Sequence, residues 1–297
     1  PLSVARQREV GQSAAELLGF DFQRGRLDIS PHPFSTELGP HDCRLTTRYD
    51  ETFFPGSFFG TLHEVGHGMY EQGLNPDQYG LPLGRYASLG IHESQSRLWE
   101  NLVGRSRAFW EFFYPKFQEH HSDLADVSLD AFYFAMNDVK ASPIRVEADE
   151  VTYNLHIIIR FELERQLLDE RLAVSDLPDA WNDMYVELLG IRPKDDAEGV
   201  LQDVHWSAGL IGYFPTYSLG NLYAAQLFAA AQKDLGNLAD MFRKGEFAPL
   251  LGWLREKIHQ QGRRLGAVEL VEEATGEAPD PSYLMNHLSE KLLPLYS

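Results

Sequence analysis

Apolar residues recur at three- and four-residue steps along most of this chain, the spacing that lines one face of an α-helix. Over residues 1–19 the recurring positions are Val4, Val10, Ala14, Leu17 and Leu18, and Gly19 closes the pattern, which predicts a packed helix. Residues 20–42 collect Gly, Pro, Ser, Asp and His, including SPHPFSTELGPHD, and read as an ordered loop. Residues 44–49, rich in Thr and alternating in polarity, are the strand candidate. Residues 58–72, FFGTLHEVGHGMYEQ, read as a helix despite three glycines, and a second long helix is predicted over 88–113. Further helices are expected at about 129–140, 149–173, 178–189, 218–235, 247–261, 267–275 and 282–292. The expected fold is mainly α. With no internal repeat, low-complexity tract or Gly/Ser linker, residues 1–297 are expected to form a single domain.

Composition narrows the function classes. A chain of 297 residues with 43% apolar and 24% charged residues can bury a core without a disulfide or structural metal, so a metal found here would be catalytic rather than a staple. The formal net charge of −18 argues against nucleic acid or an anionic membrane surface as the main partner. One cysteine, Cys43, permits neither an intramolecular disulfide nor a cysteine metal cluster, which fits a reducing cytoplasm. The chain has no apolar run of membrane-spanning length, and its first residues lack a signal-peptide layout. It begins with proline rather than methionine, which hints at a trimmed or excised segment.

The chemistry concentrates at HEVGH, residues 63–67. Residues four apart share a helix face, so His63 and His67 can direct two imidazoles at one ion, with Glu64 rotated by about 100° toward the remaining coordination position. A catalytic zinc site uses three protein ligands, and an adjacent glutamate can take the proton from an attacking water. By chance such a motif would occur in roughly one chain of this length in a hundred. Leu62, Val65 and Met69 give this helix a face to pack.

Spacing leaves the third ligand open. The histidine-bearing extension of one large peptidase class is absent, since residues 69–73 contain no histidine. Glu93 opens the next predicted helix and is a candidate, with His92 and Glu100 as competitors; a plain helix-dipole carboxylate is the bland account of Glu93. His92 is better suited to orient a ligand than to be one, and Glu71 reads as a solvated surface group.

Six blocks, in order, resemble the carboxypeptidase Taq family of metallocarboxypeptidases: HPF at 32–34, DCRLT at 42–46, HEVGH at 63–67, HESQ at 92–95, IRVEAD at 144–149 and GVLQDVHW at 199–206. They span most of the chain, and only HEVGH is common to many peptidase families. The resemblance implies Glu93 as the third ligand and zinc, or cobalt, as the metal. It also implies a helical zincin-type fold with a small β-sheet near the active-site cleft, release of single residues from peptide carboxyl termini, and a homodimer. Members of that family are longer, and the part lacking here would be an amino-terminal helical region that walls the cleft.

An enzyme acting at a carboxyl terminus must hold a carboxylate, which the planar fork of arginine does well. Arg145 and Arg44 are the candidates; on residue chemistry alone Arg145 would pair with Glu147 or Asp149 and Arg44 with Asp42. Within the resemblance Arg145 becomes the grip and Arg44 a support. The stretch QDVHWSAGLIGYFPTY offers His205, Tyr213 and Tyr217 as oxyanion donors, against a reading of the same stretch as an aromatic-rich core loop. Asp203 could orient a histidine or cap a turn. Peptides are the expected substrates. An endopeptidase or dipeptidase could share the metal site, and a metal-binding interaction module or inactive fragment is the reading from another class.

Overall fold

The computed structural model describes residues 1–119 and 121–297. The chain is mainly helical, with one three-stranded sheet among the described residues. Two compact units emerge: Pro1–Met136 with Gly220–Lys291, and Asn137–Leu219 with Leu292–Ser297. Among the described residues no helix is long and apolar enough to cross a membrane.

The first unit begins with α1 (Val4–Leu18), where the Ser3 hydroxyl accepts the Arg6 amide and Gly19 closes the helix in the left-handed region at φ 107°. The predicted loop over 20–42 instead contains two strands, β1 (Gly25–Ile29) and β2 (Ser35–Gly39); β3 (Asp42–Thr47) lies between them, parallel to β1 and antiparallel to β2. The reason for the misreading is plain. β1 buries only Leu27 and β2 buries nothing completely, so neither shows the alternation of a half-buried strand. β3, with Cys43, Leu45, Thr46 and Thr47 buried, is legible.

The organising element is α2 (Phe54–Gly73). Its two glycines near the motif lie about 200° apart around the axis and serve opposite faces. A Cβ at Gly68 would come within 2.7 Å of Phe20 and 3.0 Å of Leu45, so its absence lets the sheet side close down on the helix. A Cβ at Gly66 would stand 2.5 Å from the Gln95 carbonyl and 2.6 Å from the Ser96 Cα, so its absence lets α3 (Leu89–Arg97) approach backbone to backbone. Each glycine costs about 1 kcal/mol of helix propensity relative to alanine, which the close packing must offset.

The helix predicted over 88–113 is broken. α3, capped by the Ser88 hydroxyl accepting the Ile91 amide, runs into a π-helical turn, Leu98–Gly104. A fresh helix, α4 (Arg107–Glu119), then starts with the Ser106 hydroxyl accepting the Phe109 amide. The apolar residues continue through the break, so periodicity alone could not reveal it. α5 (Leu129–Met136) ends earlier than predicted. Most of α8 (Pro215–Leu235), then α9 (Leu238–Phe242), α10 (Ala248–Lys257), α11 (Ala267–Thr275) and α12 (Ser282–Leu292) complete this unit.

The second unit packs α6 (Tyr153–Leu168) on α7 (Leu177–Leu189) around Ile159, Leu163, Trp181 and Tyr185. α6 was expected to start at about 149. Asp149 instead orders the turn before it, accepting the Val151 and Thr152 amides at 2.9 Å each and the Thr152 hydroxyl at 2.6 Å.

Candidate metal centre

Helix geometry places His63 and His67 on one face of α2, and the close approach at Gly66 brings Glu93 of α3 to them. Nε2 of His63 and Nε2 of His67 lie 3.6 and 3.4 Å from Oε2 of Glu93. One donor atom from each of the three residues falls within 4.8 Å of the others. Ligands about 2.0–2.2 Å from a tetrahedral ion would stand about 3.3–3.6 Å apart, so both histidine–carboxylate separations suit a zinc-sized cation. A Cβ at Gly220 would come within 2.3 Å of the Glu93 side chain, so that glycine makes room for the carboxylate.

The electrostatics match ligand chemistry. Burial pushes the His67 imidazole down to about 3, against the Glu93 carboxylate and with the charges of His92 and His63, which keeps it neutral with a lone pair to give. His63 is raised despite burial, because the Glu93 charge and a hydrogen bond to Glu100 favour its charged form. Glu93 is buried yet held well below the usual carboxylate range by the charges of His63 and Arg97. Glu64, only 6% exposed, is lifted by burial to about 7, with His63 pulling it down and Glu93 and Glu100 pushing it up.

The three candidates for the third position separate cleanly. Glu93 faces both Nε2 atoms, whereas Glu100 and His92 meet the opposite ring nitrogens. Glu100 Oε2 is 2.9 Å from His63 Nδ1, and His92 Nδ1 is 2.6 Å from His67 Nδ1. Arg97 ties the carboxylates together, donating from Nε to Glu93 at 2.8 Å and from a terminal nitrogen to Glu100 at 3.1 Å. The Ser96 hydroxyl donates to Glu93 Oε2 at 3.2 Å. Glu71 does not have the solvated role read from sequence: its side chain is 10% exposed and its Oε1 lies 2.7 Å from His92 Nε2, because α3 packs over this face of α2.

The remaining candidates divide between the two units. Arg44, on β3, makes a forked pair with Asp42 at 2.9 and 2.8 Å and is half-exposed, as its neighbours in sequence predict. Arg145 lies in the second unit, 5% exposed, with each guanidinium nitrogen engaged. Nε and one terminal nitrogen meet Asp203 at 3.0 and 2.6 Å, and the other donates to the Tyr153 hydroxyl at 2.9 Å. The expected pairing with Glu147 or Asp149 is not what forms, since Asp149 is spent on the turn before α6. Arg160, completely buried, donates to the other Asp203 oxygen at 2.6 Å and to Gln202 at 2.8 Å. His205 Nε2 is 2.9 Å from the Tyr217 hydroxyl, its Nδ1 is 3.7 Å from Asp203, and its ring centroid is 5.4 Å from that of Tyr213.

Sequence reasoning missed Arg97, Gly66, Gly220, Arg160 and Gln202. Arg97 had a signal, standing four residues after Glu93 and three before Glu100. Gly66 had one too, as a glycine inside a helical pattern. The last three act on residues remote in sequence and carried no local mark.

A family model described as "Carboxypeptidase Taq (M32) metallopeptidase" matches residues 1–292. The chain is 53% identical over its whole length to thermostable carboxypeptidase 1 of Thermus thermophilus and 48% identical over 98% of its length to carboxypeptidase 1 of Bacillus subtilis, covering 58% of each. Among solved structures, the M32 carboxypeptidase of Deinococcus radiodurans R1 superposes with a TM-score of 0.97 at 47% identity, over 99% of this chain and 60% of that one. The chain thus spans less than two thirds of the length of these relatives.

Proposed function

The chain belongs to the carboxypeptidase Taq (M32) family of metallopeptidases, and from that membership we propose that it is the catalytic portion of a metallocarboxypeptidase releasing single residues from peptide carboxyl termini. The observation that carries the proposal is the convergence of His63, His67 and Glu93 within 4.8 Å of one another, with Glu64 buried on the same helix. A divalent cation held there would polarise the scissile carbonyl and ease deprotonation of the attacking water. Two imidazoles and a carboxylate suit zinc, with cobalt as the alternative.

The chain's own groups supply the rest. Glu64, its carboxyl lifted to about 7, takes the water's proton and returns it to the leaving amine. Glu100 and His92 fix the ring orientations of His63 and His67, and Arg97 holds Glu93 in place. In the second unit His205, with Tyr217 or Tyr213, provides donors suited to an oxyanion. Arg145 is proposed as the carboxylate grip. Two guanidiniums, Arg145 and Arg160, share the single carboxylate of Asp203, so an anionic substrate terminus would meet a positive charge not yet balanced within that trio. Arg44 is the proposed support. The whole chain is proposed to act as one catalytic domain on peptides, in a reducing cytoplasm and as a homodimer, which light scattering would check.

The test pairs metal analysis with mass spectrometry of a peptide ladder. Stoichiometric metal and stepwise loss from the carboxyl end are expected, and an amidated peptide should resist. Glu64→Gln should keep the metal and lose about 10²–10⁴-fold in rate. Equal cleavage of the amidated peptide would remove the exopeptidase assignment, and bound metal without turnover in the unaltered chain would favour an interaction module.

A further inference from the structure

His67 and His92 face each other through Nδ1 atoms 2.6 Å apart, and beyond them His92 Nε2 meets Glu71 Oε1 at 2.7 Å. This row of three groups decides its own protonation pattern once His67 offers Nε2 as a ligand. A neutral imidazole with a free Nε2 lone pair carries its hydrogen on Nδ1, so His67 must donate to His92. His92 Nδ1 then accepts and its hydrogen sits on Nε2, which donates to the Glu71 carboxylate. The reverse arrangement, with His92 Nδ1 donating to His67 Nδ1, would put the His67 hydrogen on Nε2 and take away the lone pair that a ligand must offer.

The surroundings make the row hard to replace. His92 is boxed by aromatic rings, with centroids 4.9 Å from Tyr86 and 5.2 Å from Tyr70, and its side chain is 14% exposed. Ring rotation that would break the row is therefore opposed by packing. The partner arrangement on His63 is shorter, since Glu100 reaches its Nδ1 directly and is itself paired with Arg97 and, at 3.7 Å, with Arg105. Glu71 meets Nε2 of His92 at 2.7 Å.

We propose that Glu71 is a positioning residue for the metal centre: acting through His92, it fixes the tautomer of His67, holds the ring with Nε2 toward Glu93, and strengthens the imidazole as a ligand. Carboxylate–histidine–metal arrangements commonly work through one carboxylate. Here a second imidazole is inserted between carboxylate and ligand. The inference rests on the ligand assignment of His63, His67 and Glu93, and the experiment separates the two.

The measurement is the zinc dissociation constant of the metal-stripped chain, obtained by competition with a chromophoric chelator, for Glu71→Ala, His92→Ala, the double variant and His67→Ala. Glu71→Ala is expected to weaken zinc binding by about 10–100-fold in the otherwise unaltered chain. In the His92→Ala background it is expected to change binding by less than about threefold, because the effect has lost its carrier. An equal weakening in both backgrounds would mean that Glu71 acts by general packing and would overturn the proposal, as would no weakening in either. His67→Ala separates the premise: if it binds zinc as tightly as the unaltered chain, the ligand set itself is wrong. Should Glu71→Ala fail to fold, the isosteric Glu71→Gln carries the same comparison, with a smaller expected weakening because its amide oxygen still accepts the hydrogen but bears no charge.

Discussion

Two buried polar clusters dominate this molecule, and they are satisfied in opposite ways. In the first unit, His63 Nε2, His67 Nε2 and Glu93 Oε2 converge at 3.4–3.6 Å, longer than good hydrogen bonds, while every outward-facing atom behind them is tightly bonded. In the second unit, each guanidinium nitrogen of Arg145 already has a partner, and Asp203 receives both Arg145 and Arg160. The first arrangement turns three donor atoms toward one another, which suits a cation held among them. The second holds together without a ligand. A buried donor set braced from behind and converging in front therefore supports a metal, whereas a buried arginine in a closed network supports substrate binding only together with chemistry from elsewhere.

The closed cluster should be the more fragile when its centre is removed. Asp203→Asn leaves two buried guanidiniums without a counter-ion, and breaking such a pairing costs about 3–5 kcal/mol. Urea unfolding should show a loss of unfolding free energy of that order, and a loss within error would mean that water reaches the arginines. The same group predicts a pH response. Burial would raise the Asp203 carboxyl, but the hydrogen bond from Arg145 and the charges of Arg160 and Arg145 bring it from 3.8 to about 2. Its contribution to stability is thus fully present above the unfolded value and is lost as pH falls from about 4 through about 2. Asp203→Asn should lack that part of the acid response.

The open cluster should fail by displacement. Gly66→Ala puts a methyl group 2.5 Å from the Gln95 carbonyl and 2.6 Å from the Ser96 Cα, both backbone, so α2 and α3 must separate. Overpacking of this kind costs about 1–3 kcal/mol, and it also carries Glu93 away from the histidines. The expected result is weaker zinc binding together with a lowered unfolding midpoint of the metal-free chain. If zinc affinity holds while stability falls, α3 tolerates the shift and the centre is less rigidly built than its packing implies.

How much of this was legible beforehand follows from where each signal lies. α2 was readable because Leu62, Val65 and Met69 recur on one face, and the histidine spacing falls on that helix. β1 and β2 were not, since five-residue strands with at most one buried side chain resemble a loop. The break after α3 escaped because Leu98, Trp99, Leu102 and Val103 are all buried through the π-helical turn, so the apolar pattern never lapses. Pairing errors share one cause. Arg145 was matched with acids two and four residues away, whereas its partner Asp203 lies 58 residues on, and Glu71 lost its solvent to a histidine on another helix. Local chemistry named the groups; tertiary contacts chose their partners.

Arg44 offers the smallest effect and the sharpest discrimination. Its pair with Asp42 is half-exposed, so breaking it leaves no buried charge behind, and Arg44→Ala should not measurably move the urea midpoint. Any change in KM for a peptide would then report binding without a folding artefact, which the buried Arg145 cannot offer. If Arg44 only supports the carboxylate, KM should rise by less than about threefold, the scale of one exposed ion pair. A rise of tenfold or more with kcat unchanged would move the carboxylate grip from Arg145 to Arg44. The closed cluster of the second unit would then be structural, and the contrast between the two clusters would become one between a ligand site and a scaffold.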